Sequence, residues 1–137
     1  MGDLLFCTYT LEASICYLLI RIFTFLFSPM KKPYLLHGKL RSKTNQLENL
    51  AKILLDAADL ISQTPGCQLY VVGYDTNEPN SIFVTEIWDT KENHDQSLQI
   101  EGVRELIMEA MPLLDGPPTK GQEIQLLGGH GISKNKI

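Results

Sequence analysis

The 137-residue chain is predicted to fold as an α+β domain, and three patterns carry that prediction. Strand-like and helix-like stretches follow one another as strand, helix, strand, strand, helix, strand. One stretch carries Leu47, Leu50, Leu54, Ala57, Ala58 and Ile61 at three- and four-residue spacing, the mark of a one-faced helix. Another, Ser81 to Trp88, places its apolar residues at a period of two, as a strand does. This order is the split β-α-β unit of ferredoxin-like folds, an antiparallel sheet with its helices on one face.

Each element has a local cause. Tyr34 to Arg41 is a short run of β-compatible residues. Thr44 is placed to cap the first helix, whose polar side carries Glu48, Lys52, Asp56 and Asp59. Thr64-Pro-Gly66 stops that helix. Cys67 to Asp75 and Ser81 to Trp88 form a hairpin across the turn-rich Thr76-Asn-Glu-Pro-Asn80. Asp89 with Glu92 three residues on has the form of a capping box for the next helix. Gly102 marks a bend before a second helical piece with Val103, Leu106, Ile107, Ala110 and Met111 on one face. Asp115-Gly-Pro-Pro118 ends it, Gln122 to Leu127 is the last strand, and residues 129–137 form a flexible tail with little to bury.

Ser81 to Trp88 also predicts a partner. Ile82, Val84, Glu86 and Trp88 share one side, yet Phe83 and Ile87 make the other side apolar too. A sheet wetted on one face alternates more sharply. A second copy packed sheet to sheet removes the conflict, so a homodimer is expected.

Composition narrows the function. The chain is 44% hydrophobic and 20% charged, with a net charge of −4 and no block of like charges. A nucleic-acid partner is disfavoured, because phosphate binding needs a basic face. Cys7, Cys16 and Cys67 are too scattered for a disulfide framework or a zinc site. That usage suits a reducing, cytoplasmic setting, with Cys67 as a small buried apolar residue.

Residues 1–30 stand apart from the domain expected over 31–128. From Leu4 to Phe27 the chain is strongly apolar, interrupted by Glu12 and Arg21, and each charge-free piece falls short of the about 20 residues a membrane helix needs. A longer span would hold Arg21 in the bilayer at about 2.5 to 3.5 kcal/mol. A cleaved signal would begin with positive charge, whereas Asp3 leads here. The favoured expectation is a mis-assigned start, with Met30-Lys-Lys-Pro as the true beginning; a membrane anchor is the alternative, and only then is a membrane a partner.

His37-Gly-Lys-Leu40, Pro65-Gly-Cys67, Thr85-Glu-Ile-Trp88, His94 and Leu113-Leu114 resemble the antibiotic biosynthesis monooxygenase (ABM) family, including its small quinol monooxygenases. The likeness spans roughly Lys32 to Gly128. It implies a dimeric α/β barrel with a pocket between the sheet and the helices of each subunit. It also implies oxygenation of hydroquinones, phenols or polycyclic aromatics by dioxygen, with no cofactor and no metal. Haem-degrading members carry a histidine in the second helical region, where Val103 to Met111 has none.

Cofactor-independent oxygenation needs a base and a dry pocket, because the substrate must become an anion before it can give an electron to dioxygen. His94 is the candidate base, since imidazole has an ordinary pKa near 6.5. Its plainer role is a residue of the helix's first turn that faces solvent or hydrogen-bonds the strand end. Glu86, on an inward strand face, needs a partner or a raised pKa. It either orients His94 or a bound hydroxyl, or pairs with Arg41 or Arg104. Trp88 stacks on an aromatic substrate or belongs to the core. His37 reaches the same pocket or is a satisfied core or interface residue, and His130 belongs to the tail. The rival class is a non-catalytic barrel that binds a small ligand or serves a stress response, since fold does not settle function.

Overall fold

The computed structural model describes residues 32–132 together with Ile15 and Leu19. The chain divides into a unit of residues 1–30 and a unit of residues 31–137. The expectations for residues 1–30 (mis-assigned start, anchor or signal) lie outside the described residues, as does the end of the tail. Among the described residues no helix is long and apolar enough to cross a membrane.

The second unit has the predicted order: β1 (Tyr34–Arg41), α1 (Leu47–Ser62), β2 (Cys67–Tyr74), β3 (Ser81–Trp88), α2 (Lys91–Ser97), α3 (Glu101–Ala110) and β4 (Gln122–Gln125). A 3-10 turn, Met111–Leu113, follows α3. The strands pair antiparallel in the order β2-β3-β1-β4, the ferredoxin-like topology. β1 and β3 are therefore central, with Tyr34 opposite Trp88 and Leu36 opposite Glu86.

The helices cover one face. Leu50, Ala51 and Leu54 of α1 meet Ile82 and Val84 of β3, Ala110 of α3 and Leu114. Nearer the Trp88 end, Tyr34, Ile61, Trp88 and Val103 form a second cluster. Leu50, Ile82, Trp88 and Val103 are fully buried, and burial of a side chain of this size contributes about 1.5–3 kcal/mol. Gly102 sits inside α3, and the bend comes just before it, between Ser97 and Glu101. Its missing side chain leaves room for α1, since a Cβ there would lie 3.0 Å from Leu60 Cδ1.

Both cap assignments are corrected. Thr44 does not cap α1; Gln46 holds that position with no side-chain bond. The chain first turns through Asn45 at φ 64°, closed by the Gln46 N–H donating to Lys43 O at 3.1 Å, so Thr44 is left two residues too early. The Asp89–Glu92 box does not form either. Asp89 still belongs to the strand end, where its N–H donates to Gly66 O at 2.7 Å. Thr90 caps α2 instead, its Oγ1 accepting from the Asn93 N–H at 3.2 Å.

On the other sheet face Leu69, Val71 and Ile124 are exposed. His37 stacks on Phe83 at 4.8 Å between ring centroids, and its Nδ1 lies 2.9 Å from Thr85 Oγ1. Lys39 Nζ stands 5.3 Å from the centre of the same Phe83 ring.

Candidate functional site

β3 aims Val84, Glu86 and Trp88 at the helices, because alternate residues of a strand share a face. A bulge between Cys67 and Leu69 in β2 resets that strand's parity, so Tyr70 pairs directly with Glu86 and also faces inward. α2 then crosses the end of β3 and carries His94 back over Trp88. The rings of Trp88 and His94 meet edge to face at 5.9 Å, and the Tyr34 ring lies 5.5 Å from the imidazole.

Glu86 is the centre of this group. Its Oε2 accepts from the Trp88 indole N–H at 2.9 Å and lies 3.9 Å from His94 Nε2. Burial pushes the Glu86 carboxyl above its ordinary value, while the indole hydrogen bond and the charge of a protonated His94 pull the other way. The ion pairs anticipated with Arg41 or Arg104 are not what Glu86 makes. Its partners are Trp88 and His94, and Arg41 reaches Asp115 at 3.6 Å.

A cavity of about 200 Å³ lies between the sheet and helices α1 and α3. Its walls include Leu54, Ala57, Val103, Leu106 and Met111, and among the described residues its polar side chains are Glu86 and Tyr70. Ile107 of α3 and Met111 just after it line this space and are partly exposed. A second hollow of about 200 Å³, toward Leu36 and Gly121, shares Leu40, Leu54, Tyr70 and Glu86 with the first. A third, about 250 Å³, lies at the Arg41 end of β1 among Lys39, Glu78 and Asp115 and contains none of the site residues.

Tyr70 makes no hydrogen bond among the described residues. Burial, then the Glu86 charge, raises its phenol far above the ordinary value, so it stays a neutral O–H donor. Tyr34 is also raised, to about 12, chiefly by burial and by Glu123, to which its hydroxyl donates at 3.2 Å. Burial and the nearby Glu86 keep the Cys67 thiol protonated too.

The structure thus brings together Glu86, Trp88 and His94, but only Glu86 lines the cavity. Trp88 is wholly buried behind the carboxylate and is not among the described residues lining the cavity. His94 is buried behind it as well and meets the cavity through Glu86. His37 lies on the opposite face of the sheet, as an odd-numbered neighbour of Leu36 must, and does not reach this cavity. Tyr70 was not anticipated. The strand parity that would have placed Tyr70 opposite Glu86 depends on the β2 bulge, which no local pattern announces. Among the described residues no group of histidine, cysteine, aspartate or glutamate is arranged to hold a metal ion.

The family model for antibiotic biosynthesis monooxygenases matches residues 33–107. No curated protein matches the chain in sequence. A Chloroflexus aurantiacus crystal structure, named provisionally for such a monooxygenase, is 38% identical, with 74% of this chain and 99% of that one covered and a TM-score of 0.66. A Deinococcus radiodurans protein with the same provisional name is 26% identical, covering 73% and 96%, with a TM-score of 0.58. A Caulobacter crescentus structure, 15% identical with 72% and 93% covered and a TM-score of 0.67, shares the fold.

Proposed function

Because the chain belongs to the antibiotic biosynthesis monooxygenase family, we propose that it oxygenates a small hydroquinone or phenol with dioxygen, using Glu86 as the base that meets the substrate. One observation carries this reading: a buried carboxyl with a raised pKa faces an apolar cavity whose other polar side chain is a neutral tyrosine hydroxyl. A phenol hydroxyl suits that pair, since it donates to Glu86 while its oxygen accepts from Tyr70. Engineered apolar cavities of about 150 Å³ take up benzene, so a cavity of about 200 Å³ favours one- or two-ring substrates over larger polycyclic ones.

The chemistry balances without an external reductant. The phenol O–H bond breaks, Glu86 takes the proton, and the Tyr70 hydroxyl stabilises the phenolate. The anion gives one electron to dioxygen, and the resulting radical pair joins at a ring carbon. Breaking the O–O bond then leaves one oxygen on the ring and releases the other as water, which takes the ring hydrogen as one proton and, as the second, a proton replacing the one Glu86 took from the phenol. The substrate supplies all four electrons, ending as a quinone. Apolar walls protect the anion and radicals from solvent quenching.

The test is oxygen uptake by the purified full chain with a panel of naphthols and reduced quinones. Uptake above the buffer rate is expected, slowed in His94→Ala. If no member of the panel is oxidised faster than in buffer, the ligand-binding reading takes its place.

In the same reading the protein is a homodimer whose copies cover each other's open sheet face. The exposed Leu69, Val71 and Ile124 support this, as uncompensated apolar surface on a sheet. Sedimentation should give twice the chain mass, and Val71→Glu should shift it to the single-chain mass. A wild type that sediments as one chain at micromolar concentration contradicts the assignment. The scattered cysteines support a reducing, cytoplasmic setting.

A further inference from the structure

A proton taken up by Glu86 must leave before the next turnover, and the side chains behind it are arranged in a line. His94 Nε2 lies 3.9 Å from Glu86 Oε2, and His94 Nδ1 lies 3.0 Å from Asp95 Oδ1. Lys91 Nζ in turn lies 2.8 Å from Asp95 Oδ2. The side chains of His94 and Glu86 are only 10% and 12% exposed, whereas Asp95 and Lys91 are about half exposed, so the line runs from the cavity wall to solvent.

The geometry points to Asp95 as a positioning residue that keeps the proton on His94 Nδ1, leaving Nε2 bare toward Glu86 to receive the substrate's proton from it. The inference rests on the reading of Glu86 as the base. An ionised carboxylate only accepts hydrogen bonds, so a neutral His94 bonded to Asp95 must carry its proton on Nδ1. Hydrogen bonds from Lys91 and His94 hold Asp95 below the ordinary carboxylate range, which keeps it an acceptor. The proton then passes from Glu86 Oε2 to His94 Nε2. Glu86 returns to carboxylate, and the new imidazolium sits between two carboxylates. A shift of about 1 Å closes the 3.9 Å gap to hydrogen-bond distance.

Every neighbour of the imidazole fits this part. β3 contributes Glu86 and the Trp88 ring edge, and α2 contributes Asp95 and Lys91. β1 contributes Tyr34, whose hydroxyl is committed to Glu123 of β4. No other hydrogen-bond acceptor is recorded for Nδ1 among the described residues.

Nitrogen-15 NMR of the histidine-labelled full chain tests the assignment, with His94→Gln identifying the signals. Neutral His94 is expected to show a protonated Nδ1 and a bare Nε2. Asp95→Ala should move the proton toward Nε2, the position free histidine side chains favour, and slow oxidation by roughly 10- to 100-fold, less than loss of the base itself. Asp95→Glu should restore the tautomer in part. Asp95 is half exposed, so these variants are expected to fold, and circular dichroism checks it. A wild type protonated on Nε2, or an Asp95→Ala variant with an unchanged tautomer, overturns the proposal. A wild type that oxidises no phenol defeats the functional reading instead, and the tautomer still decides the role of Asp95.

Discussion

In the proposed reaction, replacing Glu86 with glutamine is expected to lower the rate of quinol or naphthol oxidation by roughly 10²- to 10⁴-fold, the usual contribution of a positioned base. The amide cannot take a proton, yet its carbonyl oxygen can still accept from the Trp88 indole N–H that Glu86 Oε2 accepts now at 2.9 Å. The substitution therefore removes the chemistry and keeps the packing. Steady-state oxygen uptake measures the loss, and circular dichroism confirms the fold. Glu86→Ala would be less informative, because it also leaves the buried indole donor without its acceptor.

The same variant changes how stability depends on pH. Burial raises the Glu86 pKa in the folded chain above its ordinary 4.5. A carboxyl with a raised folded pKa binds its proton more tightly when folded. Its contribution is fully present below the unfolded pKa and is lost as pH rises through the folded value. Urea denaturation across that window should show Glu86→Gln gaining stability relative to the wild type as pH rises. A difference that stays flat with pH would mean that the carboxyl is not desolvated as described.

Trp88→Ala should be the most damaging single change to the fold, at about 3–5 kcal/mol, the usual range for truncating a fully buried large aromatic. Trp88 is 0% exposed and clusters with Tyr34, Ile61 and Val103, joining the central strands to both long helices. Its loss leaves a void there and takes away the indole donor to Glu86. That hydrogen bond lowers the Glu86 pKa, so the carboxyl should rise further once it is gone. Trp88→Phe keeps most of the ring and should cost less, about 1–3 kcal/mol for the unsatisfied acceptor and the smaller side chain. Urea midpoints of the two variants separate the packing loss from the hydrogen-bond loss. Equal losses would show that the indole N–H, rather than the ring, holds this corner together.

The elements that follow from side-chain periodicity were legible in the residues themselves. Leu50, Leu54, Ala57 and Ile61 proved to be the buried stripe of α1, and Ser81–Trp88 proved to be a central strand facing both ways. Helix starts were harder to place, because a cap depends on backbone angles. Asn45 takes the left-handed turn that displaces Thr44, and Asp89 is still paired to Gly66 where a cap was expected. The site was half legible for a related reason. Glu86, Trp88 and His94 are close in sequence, and their meeting follows from a strand that runs into a helix. Tyr70 comes from another strand, its direction set by a bulge, and only the assembled sheet places it beside Glu86. His37 shows the converse: an imidazole in the right strand, turned to the other face by one residue of parity.

In the proposed reaction dioxygen itself supplies the oxygen placed on a phenol held against Glu86. Incubating the full chain with 1-naphthol under oxygen-18 gas tests this directly, with mass spectrometry of the quinone formed. The account predicts one labelled oxygen in the quinone and the other in water, at a rate that falls in Glu86→Gln. An unlabelled quinone, or no quinone beyond the buffer control, would contradict it.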